Sequence, residues 1–253
     1  MSAPEFVDWL EDGCPHSPRF QDRYHSCTGA LAQAAGVFLQ GCGLPHGWRG
    51  QTNFTILETG FGLGMNFLAT WAAWQADPQR SQQLHFVSVE AYPVAAADLL
   101  RAAQMADTGL GELPLPMVPV TTLAEELARV WQNLSPGLHT MAFAQGQVLL
   151  TLAVGDVTQM LGQLNLVADA VFLDGFSPSA NPEMWSQATQ QAVAALCHPG
   201  SKLATYTIAR RVRDGLNQAG FAVRKCPGLP PKRDRLEAVF QALDKAPVPA
   251  LAA

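Results

Sequence analysis

Short apolar runs alternate along the chain with longer segments in which apolar residues recur three or four positions apart. Runs of about four to eight apolar residues are typical of buried strands, whereas the wider spacing is typical of helices that bury one face. The predicted strands of the regular pattern span residues 54–58, 84–90, 168–174, 201–207, 221–226 and 236–243. The predicted helices span 28–40, 64–76, a segment opened by Pro93, 123–134, 183–196 and 210–219. This alternation predicts a parallel sheet that helices cover on both faces.

Two places depart from the alternation. Short strands at 139–144 and 147–154 flank a Gln-Gly-Gln turn and predict a hairpin. The last two strands, 221–226 and 236–243, are joined by a loop of about nine residues, which is too short for a right-handed crossover. They should therefore pair antiparallel. The fold class that follows is α/β, with a doubly wound, mostly parallel, seven-stranded sheet and one reversed strand near its edge.

The pattern also predicts how the chain is divided. Residues 1–50 read as an irregular arm and a helix that pack on the main domain, and residues 51–243 form that domain. The Pro/Ala-rich segment 244–253 reads as a flexible tail or linker. A length of 253 residues suits one α/β domain with such an extra segment.

Composition narrows the class of protein. With 48% hydrophobic and 15% charged residues, the chain can bury a large core, which argues against disorder. No apolar run reaches the roughly 18 residues of a membrane-spanning helix, and the first residues lack the order of a signal peptide. The five cysteines form no C-x-x-C pair and the histidines have no metal-type spacing. We expect reduced cysteines, no metal and a cytoplasmic protein.

Charge is distributed unevenly. The chain carries a formal net charge of −5, yet residues 202–235 hold nine basic and two acidic side chains, which leaves +7 locally and −12 elsewhere. A segregated basic face is typical of proteins that bind a phosphate-bearing partner. A solvated helix followed by a charged loop explains the same count without a partner.

The clearest local motif is Glu-Thr-Gly-Phe-Gly-Leu-Gly at 58–64, between a predicted strand and a predicted helix. Glycines let the backbone turn sharply and approach a ligand, and the helix start offers free N–H groups to an anion. The spacing differs from the G-x-G-x-x-G of dinucleotide sites. The preceding acid suits the amino-acid part of S-adenosylmethionine, with Glu58 on its ammonium and backbone N–H groups on its carboxylate. A tight turn without a ligand remains the alternative.

Three more acids follow strands. Glu90 ends the second main strand, where an acid accepts hydrogen bonds from ribose hydroxyls. Asp156 is suited to hold the adenine amino group, to cap a helix, or to do both. Asp174 follows the fourth main strand and can orient or deprotonate an amine nucleophile. Phe176 and Trp185 suit base stacking. The alternatives are an exposed strand-end acid for Glu90, a plain turn at Asp174 and core packing for the two rings.

These motifs resemble the family of MnmC methyltransferase domains, which modify the wobble uridine of tRNA. The resemblance covers about residues 20–242, and E-T-G-F-G with L-D-G-F-x-P makes it specific. Further matching segments are Tyr24-His25-Ser26, 29–31, 37–39, 66–68, Asn181-Pro182, Met184-Trp185, Val212-Arg213 and 219–221. The resemblance implies a class I, Rossmann-like methyltransferase that uses S-adenosylmethionine. It also implies methylation of the exocyclic amine of 5-aminomethyluridine, often 2-thiolated, to the 5-methylaminomethyl form.

The resemblance also assigns residues. Asp174 is the expected catalytic residue. The expected cofactor-binding residues are Tyr24, Ser26, Glu58, Gly60, Phe61, Gly62, Gly64, Asn66, Glu90, Asp156 and Asp174. The expected substrate-binding residues are Phe176, Pro178, Lys232 and Arg233. One departure is the late loop, which in the family tends to read G-F-G-x-K-R and here has two prolines before Lys232 and Arg233, so that it is stiffer.

Many members of this family continue into a flavin-dependent oxidase domain, so the expected partners are tRNA and a fused or separate oxidase. Other functions remain open at this point. They are another class I methyltransferase for a small molecule or a nucleic acid, an aminopropyltransferase, a nicotinamide-dependent oxidoreductase, and a tRNA-binding module without activity.

Overall fold

The computed structural model describes residues 5–25, 29–108, 118–229 and 233–241. Its centre is an eight-stranded sheet, and a small three-stranded sheet precedes it in the chain. The strands are β1 (Asp8–Trp9), β2 (Pro15–Ser17), β3 (Asp22–Arg23), β4 (Asn53–Thr59), β5 (Gln83–Glu90), β6 (Gly137–Phe143), β7 (Val148–Val154), β8 (Ala168–Leu173), β9 (Cys197–Thr205), β10 (Phe221–Pro227) and β11 (Asp234–Phe240). The large sheet has the order β10-β11-β9-β8-β4-β5-β7-β6.

The sheet topology confirms the predicted fold class. β7, β5, β4, β8 and β9 pair in parallel, and β11 runs antiparallel to both β9 and β10. These seven strands are the mostly parallel sheet with one reversed strand. The predicted hairpin is formed as well, and it adds β6 antiparallel to β7 as an eighth strand at the edge.

Helices cover both faces of the sheet, and single helical turns fill several connections. The α-helices are α1 (Ala30–Gln33), α2 (Met65–Ala76), α3 (Ala96–Thr108), α4 (Val120–Val130), α5 (Val157–Leu161), α6 (Gln187–Ala195) and α7 (Arg210–Gln218). Ala34–Leu39 continues α1 as a π-helix, and all six of its residues are buried. 3-10 turns occur at His46–Trp48, Ala144–Gly146 and Glu183–Trp185.

Three predicted helices differ in extent from the observed ones. The helix predicted to open at Pro93 begins instead at Ala96, because Val94 pairs with Glu5 in an isolated β-bridge. The helix predicted at 123–134 begins earlier, after the extended Pro119, and ends before Trp131, whose backbone leaves the helical region. The helix predicted at 183–196 is broken at Ser186, which has extended backbone angles and whose side chain accepts the Thr189 N–H as the N-cap of α6. An N-cap residue has extended backbone angles, and its side chain satisfies a free N–H of the helix that follows. Ser186 therefore ends the preceding turn and begins a new helix.

Two apolar layers hold the sheet between them. Ile56 and Phe172 point into one layer, together with Trp71 of α2. Their chain neighbours Leu57 and Val171 point into the other, which α5, α6 and α7 complete. Neighbouring strand residues face opposite sides of a sheet, so continuous apolar strands are required to fill both layers. Each large side chain that is fully buried contributes about 1.5–3 kcal/mol.

The N-terminal segment lies across one end of the main sheet. The Glu5 N–H donates to the Pro93 carbonyl over 3.0 Å, and the Trp9 indole N–H donates to Asp98 over 2.9 Å. Asp22 accepts the Ser177 N–H over 2.8 Å. Pro93 and Ser177 follow β5 and β8, so the segment covers the carboxyl ends of the parallel strands. Within the residues described, no helix combines the length and the apolar character needed to cross a membrane.

Candidate functional site

A cleft of about 750 Å³, including the space at its open mouth, lies at the carboxyl ends of β4, β5 and β8. Open α/β sheets bind ligands at this end of the strands. Eight residues predicted from sequence line it: Tyr24, Gly60, Phe61, Gly62, Asn66, Glu90, Asp174 and Phe176. The structure therefore brings together residues that lie up to 152 positions apart in the chain.

Other predicted residues stand outside the cleft wall. Within the described part of the chain these are Glu58, Gly64, Asp156, Pro178 and Arg233. Ser26 and Lys232 lie outside the described residues. The cleft wall also contains residues that sequence reasoning did not assign to it, among them Phe20, His25, Gln33, Tyr92, Asn181 and Met184. His25, Asn181 and Met184 belong to quoted motif segments, whereas Phe20, Gln33 and Tyr92 carry no local signal.

The glycine turn after β4 is tight because two other chain segments press against it. A Cβ on Gly60 would lie 3.1 Å from the Cα of Gly175, and a Cβ on Gly62 would lie 3.3 Å from the Tyr24 ring. Both glycines also have positive φ, +80° and +53°. Side chains are strained in that region, so the turn requires glycine for both conformation and space. Gly60 and Gly62 thus present backbone atoms alone to the cleft that they line.

A chain of hydrogen bonds links two acids through one amide. The Asn66 Nδ2 donates to Glu58 Oε1 over 2.9 Å and to Asp174 Oδ2 over 2.8 Å. Glu58 also accepts the Ser88 hydroxyl over 2.6 Å and is 1% exposed. Asn66 lines the cleft and Glu58 lies behind it, so Glu58 is connected to the cleft by its hydrogen bond with Asn66. Its direct contact with a cofactor ammonium stays a prediction.

Burial sets the protonation of Glu58. Removal from water raises the pKa of Glu58 well above its ordinary value, and the nearby charge of Asp174 acts in the same direction. The hydrogen bonds from Ser88 and Asn66 oppose the rise but do not cancel it. A buried carboxyl group in this position favours its neutral form.

This pKa shift predicts a pH-dependent stability. The folded-state pKa of Glu58 exceeds the unfolded value of 4.5, so the folded state binds more protons between the two values. Stability should then fall as pH rises above 4.5, by up to about 1.4 kcal/mol per pH unit, until the folded pKa is passed. In Glu58→Gln this part of the pH dependence should be absent. Urea unfolding at a series of pH values from about 5 to 8 measures the difference between the two proteins.

The control for that comparison is Glu125→Gln, which changes an exposed acid on α4. Its unfolding free energy should follow the wild-type pH curve. If Glu58→Gln also ran parallel to wild type over the whole range, the raised pKa of Glu58 would be disproved.

Glu90 is held in place by two backbone N–H groups. Gly62 N donates to Oε2 and Tyr92 N donates to Oε1, each over 2.8 Å. Burial raises the pKa of Glu90, and these two N–H groups oppose the rise. Each carboxylate oxygen keeps acceptor capacity beyond one bond, so a fixed Glu90 in the cleft wall can accept two hydroxyl donors.

Asp156 acts as the cap of α5. One of its oxygens, Oδ1, accepts the Thr158 hydroxyl over 2.7 Å and the N–H groups of Thr158 and Gln159, each over 3.0 Å. These bonds, the one from the Thr158 hydroxyl first, lower the pKa of Asp156. The helix-capping interpretation is therefore observed directly. A contact of Asp156 with adenine stays a prediction.

Aromatic rings form one side of the cleft. Phe20 of the N-terminal segment stacks on Phe176 with centroids 4.6 Å apart, and Tyr24 meets the edge of Phe176 at 5.0 Å. Burial, and then the charge of Glu90, raise the pKa of Tyr24, so this phenol stays neutral. Trp185 is instead buried beside the edge of Tyr206, and its indole N–H donates to the Phe176 carbonyl over 2.7 Å. For Trp185 the structure shows core packing.

Several basic side chains of the stretch 202–235 form ion pairs in the folded chain. Arg224 and Arg235 both pair with Glu237, which follows the stretch in sequence. The other pairs are Lys225 with Asp234, and Arg210 and Arg213 with Asp214. Asp214 and Asp234 are already included in the sequence count of +7, so Glu237 is the acid by which that count overstates the positive charge of this surface.

Strand direction puts the ends of this stretch near the cleft. β10 ends at Pro227, which pairs with Asp234 at the start of β11, so Arg233, the residue before β11, lies at the carboxyl end of the parallel strands. α7 begins at Arg210, just after the carboxyl end of β9. Arg233 and Arg210 thus share the end of the sheet on which the cleft opens.

Comparison with known proteins adds independent information. Residues 118–241 match a family model described as S-adenosyl-L-methionine-dependent methyltransferase. The tRNA 5-methylaminomethyl-2-thiouridine biosynthesis bifunctional protein MnmC of Acidovorax sp. (strain JS42) is 55% identical over 240 residues, 95% of this chain and 36% of that protein. The protein of the same name from Paracidovorax citrulli (strain AAC00-1) is 58% identical over the same shares. The chain thus spans about a third of the length of these relatives.

A solved structure agrees in fold. The crystal structure of MnmC2 from Aquifex aeolicus superposes with a TM-score of 0.71 at 23% sequence identity. The match covers 99% of this chain and 74% of that one. At this identity the likeness establishes the shared fold.

Proposed function

Since the chain belongs to the family of S-adenosylmethionine-dependent MnmC methyltransferase domains, we propose that it methylates the exocyclic amine of 5-aminomethyluridine, 2-thiolated or not, at the tRNA wobble position. The product is the 5-methylaminomethyl form. One observation carries the proposal: the family's two motifs meet at one cleft, where Asn66, four residues after the first motif, bonds directly to Asp174 of the second.

The cleft residues fit S-adenosylmethionine in shape and charge. Gly60 and Gly62 line the cleft with main-chain atoms alone, so a ligand in the cleft can lie against the backbone of the turn. Glu90 and Asp174 line the same cleft, which suits a ligand with a sulfonium and an ammonium group. When bound, S-adenosylmethionine supplies an electrophilic methyl group. Gly60, Gly62 and Asn66 would hold its amino-acid part, and Glu90 its ribose.

Asp174 is suited to receive the amine. Its Oδ1 accepts the Gly175 N–H and its Oδ2 accepts the Asn66 amide, each over 2.8 Å, so the carboxylate has one orientation in the cleft wall. A free alkylamine is mostly protonated at neutral pH, and the proton must leave before the nitrogen attacks. Asp174 can accept a hydrogen bond from the ammonium and take or share that proton. Holding the amine in line is worth several kcal/mol, and about 7–11 in ideal cases.

The macromolecular partner in this proposal is tRNA, and Phe176, Pro178, Lys232 and Arg233 are its proposed contacts. Phe176 offers a ring in the cleft wall for the base, and Arg233 and Arg210 offer positive charge at the same end of the sheet. With tRNA as substrate, we also propose a cytoplasmic location. A flavin-dependent oxidase, fused or separate, would produce the 5-aminomethyl substrate; the relatives, of which this chain matches 36%, are named as bifunctional proteins.

The phosphate contacts predict a change in salt dependence. Replacing Lys232 and Arg233 together by Ala should weaken tRNA binding and make the slope of log K against log salt shallower by about 1.4–1.8, the share of two phosphate contacts. Filter binding at several salt concentrations measures the slope. Arg80→Ala is the control, because Arg80 is exposed and lies before β5, at the opposite end of the sheet. It should leave the slope unchanged. An equal slope in the double variant and wild type would reject these contacts.

The experiment that tests the proposed function is transfer of a labelled methyl group to tRNA that carries 5-aminomethyl groups. Label should enter this tRNA and not fully modified tRNA. A tRNA-binding module without activity would bind both and transfer nothing. A nicotinamide-dependent oxidoreductase would be stabilised against heat by NADH, whereas we expect S-adenosylmethionine alone to raise Tm.

A further inference from the structure

The loop that follows β8 carries Asp174 and Phe176, and its backbone is bound by side chains from three other parts of the fold. The Thr59 hydroxyl donates to the Asp174 carbonyl over 2.8 Å and accepts the Asp174 N–H over 3.1 Å. The Tyr206 hydroxyl donates to the Gly175 carbonyl over 2.8 Å. The Trp185 indole donates to the Phe176 carbonyl. Three successive residues of the loop are therefore each fixed through the main chain.

We propose that Tyr206 is a positioning residue for methyl transfer, acting with Thr59 and Trp185 as a clamp on the 174–176 loop. This inference rests on the proposed function. Tyr206 does not line the cleft within the described structure, so it does not touch the reactants. It acts on the peptide group that joins the Asp174 carboxylate to the Phe176 ring. If this peptide group rotated, the Asp174 carboxylate and the Phe176 ring would point in different directions.

The need for a clamp follows from the loop's own conformation. Gly175 has φ +138°, and a Cβ there would lie 2.9 Å from Met184, so residue 175 must be glycine. A glycine at this point gives the backbone freedom to reorient, because no side chain restricts its dihedral angles. The hydroxyl of Tyr206 removes that freedom, since it bonds to the glycine carbonyl itself. The Trp185 and Tyr206 rings pack edge to face, and this contact holds the Tyr206 hydroxyl in place.

The surroundings of Tyr206 also keep it a donor. Burial raises the pKa of the Tyr206 phenol, and the charges of Asp174 and Asp22 raise it further. The phenol therefore keeps its proton throughout the working pH range. Asp22 holds the next residue of the loop through the Ser177 N–H, so the N-terminal segment supports the same backbone from the outer side.

The test is Tyr206→Phe, which removes the hydroxyl and keeps the ring. We expect kcat for methyl transfer to tRNA to fall by about 10-fold, because small displacements of a catalytic group are costly. The KM for S-adenosylmethionine should change by less than about 2-fold, since its proposed contacts at Gly60, Gly62 and Glu90 are not altered. Thr59→Val is the second variant and should show the same separation of kcat from KM. Thermal unfolding reports that each variant is folded.

The matched control is Ser81→Ala. Ser81 is 1% exposed, its hydroxyl donates to the Gln83 carbonyl, and it lies at the opposite end of the sheet. The Ser81→Ala protein should have a lower free energy of unfolding and an unchanged kcat. If wild type transfers methyl groups and both clamp variants keep the wild-type kcat, the positioning role is rejected while the proposed function stands. If wild type transfers nothing, the proposed function itself fails.

Discussion

Asp174→Ala should lower kcat for methyl transfer by about 10²–10⁴-fold, the usual contribution of a positioned acid or base. S-adenosylmethionine should still bind within about 10-fold of its wild-type affinity, because Gly60, Gly62 and Glu90 keep their positions and supply most of the proposed contacts. The variant should change kcat far more than cofactor affinity, because Asp174 is proposed to act on the amine, and the amine belongs to the tRNA. Single-turnover transfer measures the chemical step, and calorimetry measures cofactor affinity.

Asp169→Ala is the matched control, since Asp169 lies at the other end of β8 and also accepts a backbone N–H, that of Thr55. It tests whether loss of any side-chain hydrogen bond to the backbone on this strand reduces turnover, and we expect kcat to be retained. If Asp174→Ala loses as much cofactor affinity as a variant of the glycine turn, Asp174 binds the cofactor and the proposed role in proton transfer is wrong.

Gly62→Arg should abolish measurable cofactor binding, with a loss of affinity of at least about 100-fold. Two effects combine. A Cβ at residue 62 would press on the Tyr24 ring at 3.3 Å, and the long side chain would enter the cleft. The substitution also disturbs the N–H that donates to Glu90 Oε2, so the proposed ribose contact is displaced as well. Calorimetry with S-adenosylmethionine measures the loss, and methyl transfer should vanish with it.

Gly50→Arg separates this effect from backbone strain. Gly50 has φ +74°, also in the positive region, and a Cβ there would meet nothing within 4 Å. The control therefore introduces the same side chain in a similarly strained conformation away from the cleft. It should reduce stability while cofactor affinity stays near wild type. Normal S-adenosylmethionine affinity in Gly62→Arg would show that the cofactor does not lie against this turn.

The sequence predicts the sheet well because its signals are local or depend on chain length. Apolar runs mark the strands, and the short loop before β11 requires that strand to reverse. The glycine turn and the acids at strand ends are local signals too, and topology then gathers Gly60, Glu90 and Asp174 at one cleft. The π-helix at 34–39 gives no such signal, because its apolar spacing is close to that of an α-helix.

What the sequence does not predict depends on contacts between distant segments. Phe20 reaches the cleft only because the N-terminal segment folds back to stack on Phe176. Glu237 neutralises Arg224 across a strand pair, which a count over a window of sequence cannot register. Asn66 stands between Glu58 and the cleft because α2 begins beside the end of β4, so an acid that the motif assigns to the cofactor is buried behind an amide.

The most direct measurement is nucleoside analysis of tRNA that carries 5-aminomethyl groups at the wobble position, after incubation with the chain and S-adenosylmethionine. The account predicts that the wobble nucleoside gains one methyl group on its exocyclic nitrogen and that the Asp174→Ala protein leaves most of it unchanged. If the wild-type chain leaves the nucleoside unaltered, or adds the methyl group at another position of the tRNA, the account is contradicted.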